Sequence, residues 1–328
     1  CCRCAREVGR CAALQMTAYD FRGDADVVLS EPDDVVRALV ARCNCLTMVN
    51  LYDCAKYVIN PATAAQRCSM VELMASEEQP PDYFVSHFWA EPIFDFLKCL
   101  LEHSWARGFE SKRGSHNGQG FDGEDGNVHP GYLGGRPPRY WVCAYANNQW
   151  TLASELVEDL AETSFARAMR ISMGTVSVVD RSAGCFGRIW CVYELSYSVS
   201  REDKKEFMYD IVTAKEWDRY GNTHGAVAIT DGLSAQQRDA KTKQEHEEAF
   251  PLELIDKGIG FKCKDGKASF EADKVRILKA IGDGSETLDA KVHGVVACAA
   301  LRRALEEGGT RRETFLEAVR NGKVRRLQ

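Results

Sequence analysis

Short apolar runs alternate with stretches of helical periodicity through the middle of the chain. Tyr83-Phe84-Val85 leads into Ser86-His87-Phe88-Trp89, and a helix is predicted from about Pro92 to Arg107. Tyr140–Tyr145 reads as a second strand, ending in the amides Asn147, Asn148 and Gln149. Thr175–Val179 is brief, β-branched and nearly all apolar, as a strand buried on both faces should be, and it stops at Asp180. Glu206–Thr213 and Ala226–Thr230 supply two more strands. Between them, helices are predicted at Ser154–Leu160, Ser164–Ile171, Arg188–Arg201 and Ser234–Glu248. The alternation predicts an α/β fold: a five-stranded parallel sheet covered by helices on both faces. Its expected order is 2-1-3-4-5, the flavodoxin-like one.

Helical patterns flank this region on both sides. Residues 1–80 read as a helical N-terminal extension, with capping boxes at Ser30/Asp33 and Asn50/Asp53 and a helix that Pro61 is expected to end. A further helical segment, Arg67–Ala75, runs into the linker Glu77–Pro81. The α/β domain is expected over 82–250. Within it, residues 108–138 hold nine glycines and three prolines and read as a long inserted loop. Residues 251–328 form a helical C-terminal extension: Phe270–Ile281, Glu286–Glu306, and Arg311–Arg320 capped by Thr310 with Glu313.

Composition narrows the function classes. Of 328 residues, 45% are apolar and the net charge is −6, which suits a globular protein and argues against a nucleic-acid partner. No window is apolar enough to suggest a membrane span. Fourteen cysteines, many inside apolar runs, read as buried free thiols in a reducing, cytoplasmic setting. Because the chain starts at Cys1, it is taken as cut from something longer. Cys1 and Cys4 have a CxxC spacing that Cys43 and Cys45 could complete, but no second CxxC supports zinc, and no metal site is expected. Asp122–Asn127 lacks the spacing and the closing glutamate of a calcium loop.

In a sheet of this order a ligand lies at the carboxyl ends of the strands, where the order reverses. Strand 1 ends there with Ser86 and His87; strand 3 ends with Asp180, followed by Arg181, Gly184, Gly187 and Arg188. Backbone N–H groups at a helix start beside two arginines suit an anion. Ser86 and His87, as strand neighbours, point to opposite faces and cannot form a nucleophile–base pair. The helix after Arg188 puts Val192, Leu195 and Val199 on the face toward the sheet. Trp190, Tyr193 and Tyr197 fall on another face, with Glu194 beside them.

These residues resemble the Toll/interleukin-1 receptor (TIR) domains over about 82–250. Phe84-Val85-Ser86-His87 is similar to the family's first strand, and TSFARAMRISMGTVSVVD to its second helix and third strand. Trp190-Cys191-Val192-Tyr193-Glu194-Leu195 is similar to the Trp-Cys-x-x-Glu-Leu run that opens its third helix. The chain departs from the plant members at Phe88-Trp89-Ala90-Glu91, where an Arg-Gly-Asp-like sequence is common. Some members cleave NAD with the glutamate of that hexapeptide, so the resemblance implies Glu194 as catalytic residue. It implies NAD or a related nucleotide as substrate, with no further cofactor. Ser86, His87, Trp89, Asn147, Asp180, Arg181, Arg188, Trp190 and Tyr197 are expected to bind that substrate. The family also includes non-catalytic modules that self-associate in signalling, and homotypic association is the expected partner interaction in either case.

Overall fold

The computed structural model describes residues 49–109, 138–151, 159–200, 207–215, 225–235, 237 and 239–321. The Ser30 cap, the cysteines at 1, 4, 43 and 45, the loop at 122–127, and all but the ends of the predicted helix at 154–160 and the insertion at 108–138 lie outside them. Along the chain the helices are α1 (Leu51–Cys54), α2 (Asn60–Thr63), α3 (Met70–Met74), α4 (Ile93–Ala106), α5 (Cys143–Ala146), α6 (Ser164–Ile171) and α7 (Ile189–Ser200). After them come α8 (Ala240–Glu247), α9 (Leu252–Ile259), α10 (Glu271–Ile281), α11 (Ser285–Ala299), α12 (Leu301–Glu307) and α13 (Gly309–Asn321). The strands are β1 (Tyr83–His87), β2 (Tyr140–Trp141), β3 (Gly174–Val178), β4 (Met208–Ala214) and β5 (Ala226–Ile229).

The chain divides into two compact units. One comprises Cys1–Gln79, Trp89–Asp95 and Val142–Leu156; the other comprises Pro80–Phe88, Phe96–Trp141 and Val157–Gln328. In the first, the Asn50/Asp53 capping box forms as expected and starts α1. Pro61 does not end the helix. A π-helical turn, Ala55–Ile59, precedes it, and Pro61 continues the helical run in the first turn of α2. The Trp150 indole donates to Thr63 Oγ1 at 3.0 Å, and the Asn148 amide donates to the Arg67 carbonyl at 2.7 Å.

The second unit is built on a five-stranded sheet of order β2-β1-β3-β4-β5, with β1, β2, β3 and β4 parallel. β5 runs antiparallel to β4, so the sheet is mixed and the all-parallel expectation is corrected. The reason is connection length. Only residues 215–225 join β4 to β5, too few for the crossover of about a dozen or more that a parallel neighbour needs. β2 is also shorter than expected: it pairs through Tyr140 and Trp141 only, and Cys143–Ala146 turns helical.

Alternation along the strands sends side chains to two different layers. Phe84, Ser86, Thr175, Ser177 and Tyr209 share the face covered by α7, where Ser198 bonds Thr175. Tyr83, His87 and Asp210 share the other, covered by α4. There the Arg107 guanidinium forks onto both oxygens of Asp210, with its Nε at 2.7 Å, and His103 Nε2 lies 2.9 Å from the same carboxylate. All three side chains are buried. Gly174 is required for close strand packing: a Cβ there would come within 2.5 Å of the Met208 carbonyl oxygen.

The C-terminal helices extend the hydrophobic core on the α7 side. Ile255, Ile277, Val292, Val296 and Phe315 join Val192 and Leu195 of α7 in one cluster. The expected helix Glu286–Glu306 is two helices, divided at Ala300. Thr310 lies inside α13 and bonds Thr314 rather than capping. Ser234 and Gln237 form a turn, and α8 starts instead from the Asp239 cap. Among the described residues no helix is long and apolar enough to cross a membrane.

Candidate functional site

α7 carries the candidate site. Cys191, Glu194 and Ser198 follow one another at steps of three and four residues, so they line one side of the helix, and that side faces the sheet. Each makes a bond across the layer. Cys191 Sγ donates weakly to the His87 carbonyl at 3.5 Å, and Glu194 Oε2 accepts from Ser86 Oγ at 2.5 Å. Ser198 Oγ bonds Thr175 Oγ1 at 2.8 Å and lies 2.7 Å from the Glu194 carbonyl, back along its own helix. Tyr209 donates to Ser177 at 3.0 Å on the same sheet face. A polar seam thus runs between helix and strands inside an otherwise apolar layer.

Glu194 is therefore turned toward the strand ends and away from its aromatic neighbours, and it is 5% exposed. Burial pushes its carboxyl well above the ordinary carboxylate range; the neighbouring Cys191 adds to this, while the Ser86 hydroxyl and Arg188 oppose it. The carboxyl accepts a hydrogen bond from Ser86.

Two cysteines lie at the start of α7. One is Cys185, in the 3-10 turn Gly184–Gly187, and the other Cys191; both thiols are buried and free.

The loop between β3 and α7 bonds in part to itself. Asp180 accepts from Ser182 N at 3.0 Å, from Gly184 N at 2.6 Å and from the Ser182 hydroxyl. Two backbone donors of the loop, those of Ser182 and Gly184, are thus held by the chain's own carboxylate. Ile189 N donates to the Lys267 carbonyl, and Lys267 N donates back to Gly187, which pins the start of α7. The Arg181 carbonyl accepts from Lys257. Arg188 lies over the Phe88 ring at 5.6 Å, and Gly184 packs against that ring so closely that no side chain would fit.

The remaining predicted residues disperse. Trp190 stacks on Phe165 with ring centres 5.4 Å apart, donates to Asp273 at 3.2 Å and lies under Arg276. Tyr197 packs against the hydrophobic core. His87 is buried on the α4 face, its ring 4.9 Å from Phe96, and burial lowers its pKa to about 3. Trp89 and Asn147 belong to the other unit. There the Trp89 indole donates to Cys143 Sγ at 2.9 Å, and Asn147 is a buried residue ending α5. Of the predicted set the fold joins Ser86, Glu194 and, through its charge, Arg188.

Residues that the sequence reading passed over include Ser198, Thr175, Cys185, Asp273 and Arg276. Ser198 was the findable one: it lies four residues beyond Glu194, and small polar residues at helical spacing on a sheet-facing side signal a buried seam. A hollow of about 320 Å³ is lined by Glu286, Asp289 and His293 of α11 with Thr314 and Glu317 of α13, and includes no predicted site residue. Among the described residues no group of three or more His, Cys, Asp or Glu side chains could hold a metal ion.

The sheet and its helices define a flavodoxin-like α/β protein in the general sense, an architecture shared by enzymes and interaction modules. Comparisons of the chain with protein-family models, with curated proteins and with solved structures find no match.

Proposed function

We propose that the α/β region is a TIR-like module that cleaves the nicotinamide–ribose bond of NAD, with Glu194 as its catalytic carboxyl group. The observation that carries this reading is the bond from Ser86 to Glu194, which holds an acid at the carboxyl end of β1, beside the strand pair where the order reverses. A carboxyl group with a raised pKa at such a place is suited to a task that needs its charge only once substrate is bound. The positively charged pyridinium of NAD, brought against Glu194, favours the carboxylate that burial suppresses. That carboxylate stabilises the oxocarbenium-like ribose as neutral nicotinamide departs, and water or an internal nucleophile completes the exchange. Because the carboxyl is almost closed off, substrate entry requires the Ser86–Glu194 contact to part.

The same closure favours a second reading, a self-associating TIR-like module in signalling that turns nothing over. Trp190, the ring that would stack on a base, is already engaged by Phe165, Asp273 and Arg276. Nicotinamide release separates the two. It is to be measured on the whole chain, dilute and under conditions that promote assembly. The catalytic reading expects release that Glu194→Gln lowers by about a hundredfold or more. Release unchanged by that substitution removes Glu194 from the mechanism, and no release in any assembly state leaves the interaction module.

A further inference from the structure

We propose that Phe88 is the ring on which the pyridinium of NAD stacks, in the place now taken by the Arg188 guanidinium, an assignment that rests on the catalytic reading of Glu194. Within the second unit, α7 and the end of β1 pass each other in opposite directions and meet at three levels. Glu194 accepts from Ser86 at 2.5 Å, and Cys191 donates to the His87 carbonyl at 3.5 Å. At the third level the Arg188 guanidinium lies over the Phe88 ring, 5.6 Å from its centre. Phe88 is two residues beyond Ser86 and so falls on the same side of the sheet, the side of Glu194. Its contacts with Gly184 and Arg188, which lead into α7, agree with that placement.

The deep pair is closed to water and the outer pair is not. Ser86 and Glu194 are buried, whereas Phe88 and Arg188 are half-buried and Gly187, beside Arg188 in the chain, is exposed. The Phe88 ring is also held in place: a Cβ added to Gly184 would lie 2.4 Å from its Cδ1. A fixed, half-open ring that already carries one flat cation suits another, and the nicotinamide of NAD is such a cation. Phe88 lies about 7 Å beyond Ser86 at strand spacing, so a pyridinium on the ring keeps the ribose carbon bonded to it toward Glu194. The displaced guanidinium turns to the diphosphate beyond the ribose. Trp190, by contrast, is held by Phe165, Asp273 and Arg276.

Two consequences separate stacking of this kind from ordinary packing. The ligand must carry the positive charge, because both the ring face and the Glu194 carboxyl favour a cation over a neutral ring. Arg188 competes for the ring, so its removal acts with opposite sign on two ligands. Arg188→Gln clears the ring for a bare pyridinium and tightens it, but strips a diphosphate partner from the dinucleotide and weakens that. An arginine that only packs on Phe88 produces neither change.

The 1-methylnicotinamide cation provides the test, since it carries the pyridinium and has no ribose to cleave. Its affinity for the whole folded chain is measured by ligand-observed NMR titration, beside that of neutral nicotinamide. The cation is expected to bind about tenfold more tightly than the neutral ring, to lose about tenfold in Phe88→Leu and to keep its affinity in Phe88→Tyr. In Arg188→Gln it is expected to gain about threefold, and this variant decides alone if circular dichroism shows Phe88→Leu unfolded. No binding to the wild type, equal affinity for cation and neutral ring, equal affinity in Phe88→Leu, or a loss in Arg188→Gln each overturns the proposal. Nicotinamide release from NAD is read on the same samples. Cation binding in the expected pattern with no release in any assembly state sustains the pyridinium site and fails the cleavage reading. Release with a KM that Phe88→Leu leaves unchanged does the reverse.

Discussion

The Ser86 hydroxyl lies 2.5 Å from the Glu194 carboxyl, linking β1 to α7 across 108 residues of sequence in a layer that water barely reaches. A buried acid held by a single donor is costly to ionise. The behaviour of this pair is therefore measurable without knowing any substrate.

Glu194→Gln should stabilise the chain, and by more as pH rises. Above about 4.5 an unfolded Glu194 ionises while the folded one keeps its proton, so the folded state binds more protons and stability falls with increasing pH. Glutamine has no proton to lose and can still accept from Ser86. The gap between variant and wild type should widen by up to about 1.4 kcal/mol per pH unit above that point, measured by urea unfolding. A gap independent of pH would show that Glu194 ionises freely in the fold.

Ser86→Ala removes the one hydroxyl donor to that carboxyl among the described residues. A loss of about 1–3 kcal/mol is expected from leaving a buried acceptor unsatisfied. In a double-mutant cycle with Glu194→Ala the two losses should be non-additive by at least about 0.5 kcal/mol. Simple additivity would mean that the contact is not made in solution.

On the opposite face of the sheet, Asp210→Ala should be among the most damaging substitutions in the chain, at about 3–5 kcal/mol, because it strands the buried Arg107 guanidinium. Burial works against ionisation of Asp210, but Arg107 and the His103 hydrogen bond outweigh it and hold the carboxyl below its ordinary range. Its stabilising contribution is thus present above about pH 3.8 and lost as pH falls through the lower folded value. Thermal melts of wild type and variant at neutral and acid pH test both statements; a loss below about 1 kcal/mol would contradict the network.

His87 predicts an acid limb of its own. Burial lowers its pKa from 6.5 to about 3, so over that interval the unfolded chain binds a proton that the folded chain refuses, and stability drops as pH falls. His87→Leu keeps an apolar contact to Phe96 and should flatten the limb by up to about 1.4 kcal/mol per pH unit. An unchanged limb would mean that the imidazole is protonated in place.

Much of the scaffold was legible because periodicity is a local property. Thr175–Val179 and Ala226–Thr230 have the apolar content of buried strands, and Ser86 and His87 point to opposite faces because strand neighbours must. The Asn50/Asp53 cap is likewise complete within four residues. The reversed β5 was also within reach, since the short 215–225 connection limits it to an antiparallel neighbour. The site was less legible. The helix places Glu194 within reach of two sides, and only the hydroxyl of Ser86 across the sheet decides which one it takes.

By itself the chain determined the sequence of most strands and helices and the residues that could be acidic, nucleophilic or aromatic at the strand ends, while the pairing order of the sheet came from the precedent of such folds. Tertiary structure alone decided that Phe165 and Arg276 would take Trp190 and that Ser86 would meet Glu194. The physical reason is range. A side chain's face is set by the backbone repeat within a few residues. Its partner and its charge are set by which distant groups the closed core brings against it, and by how little water remains.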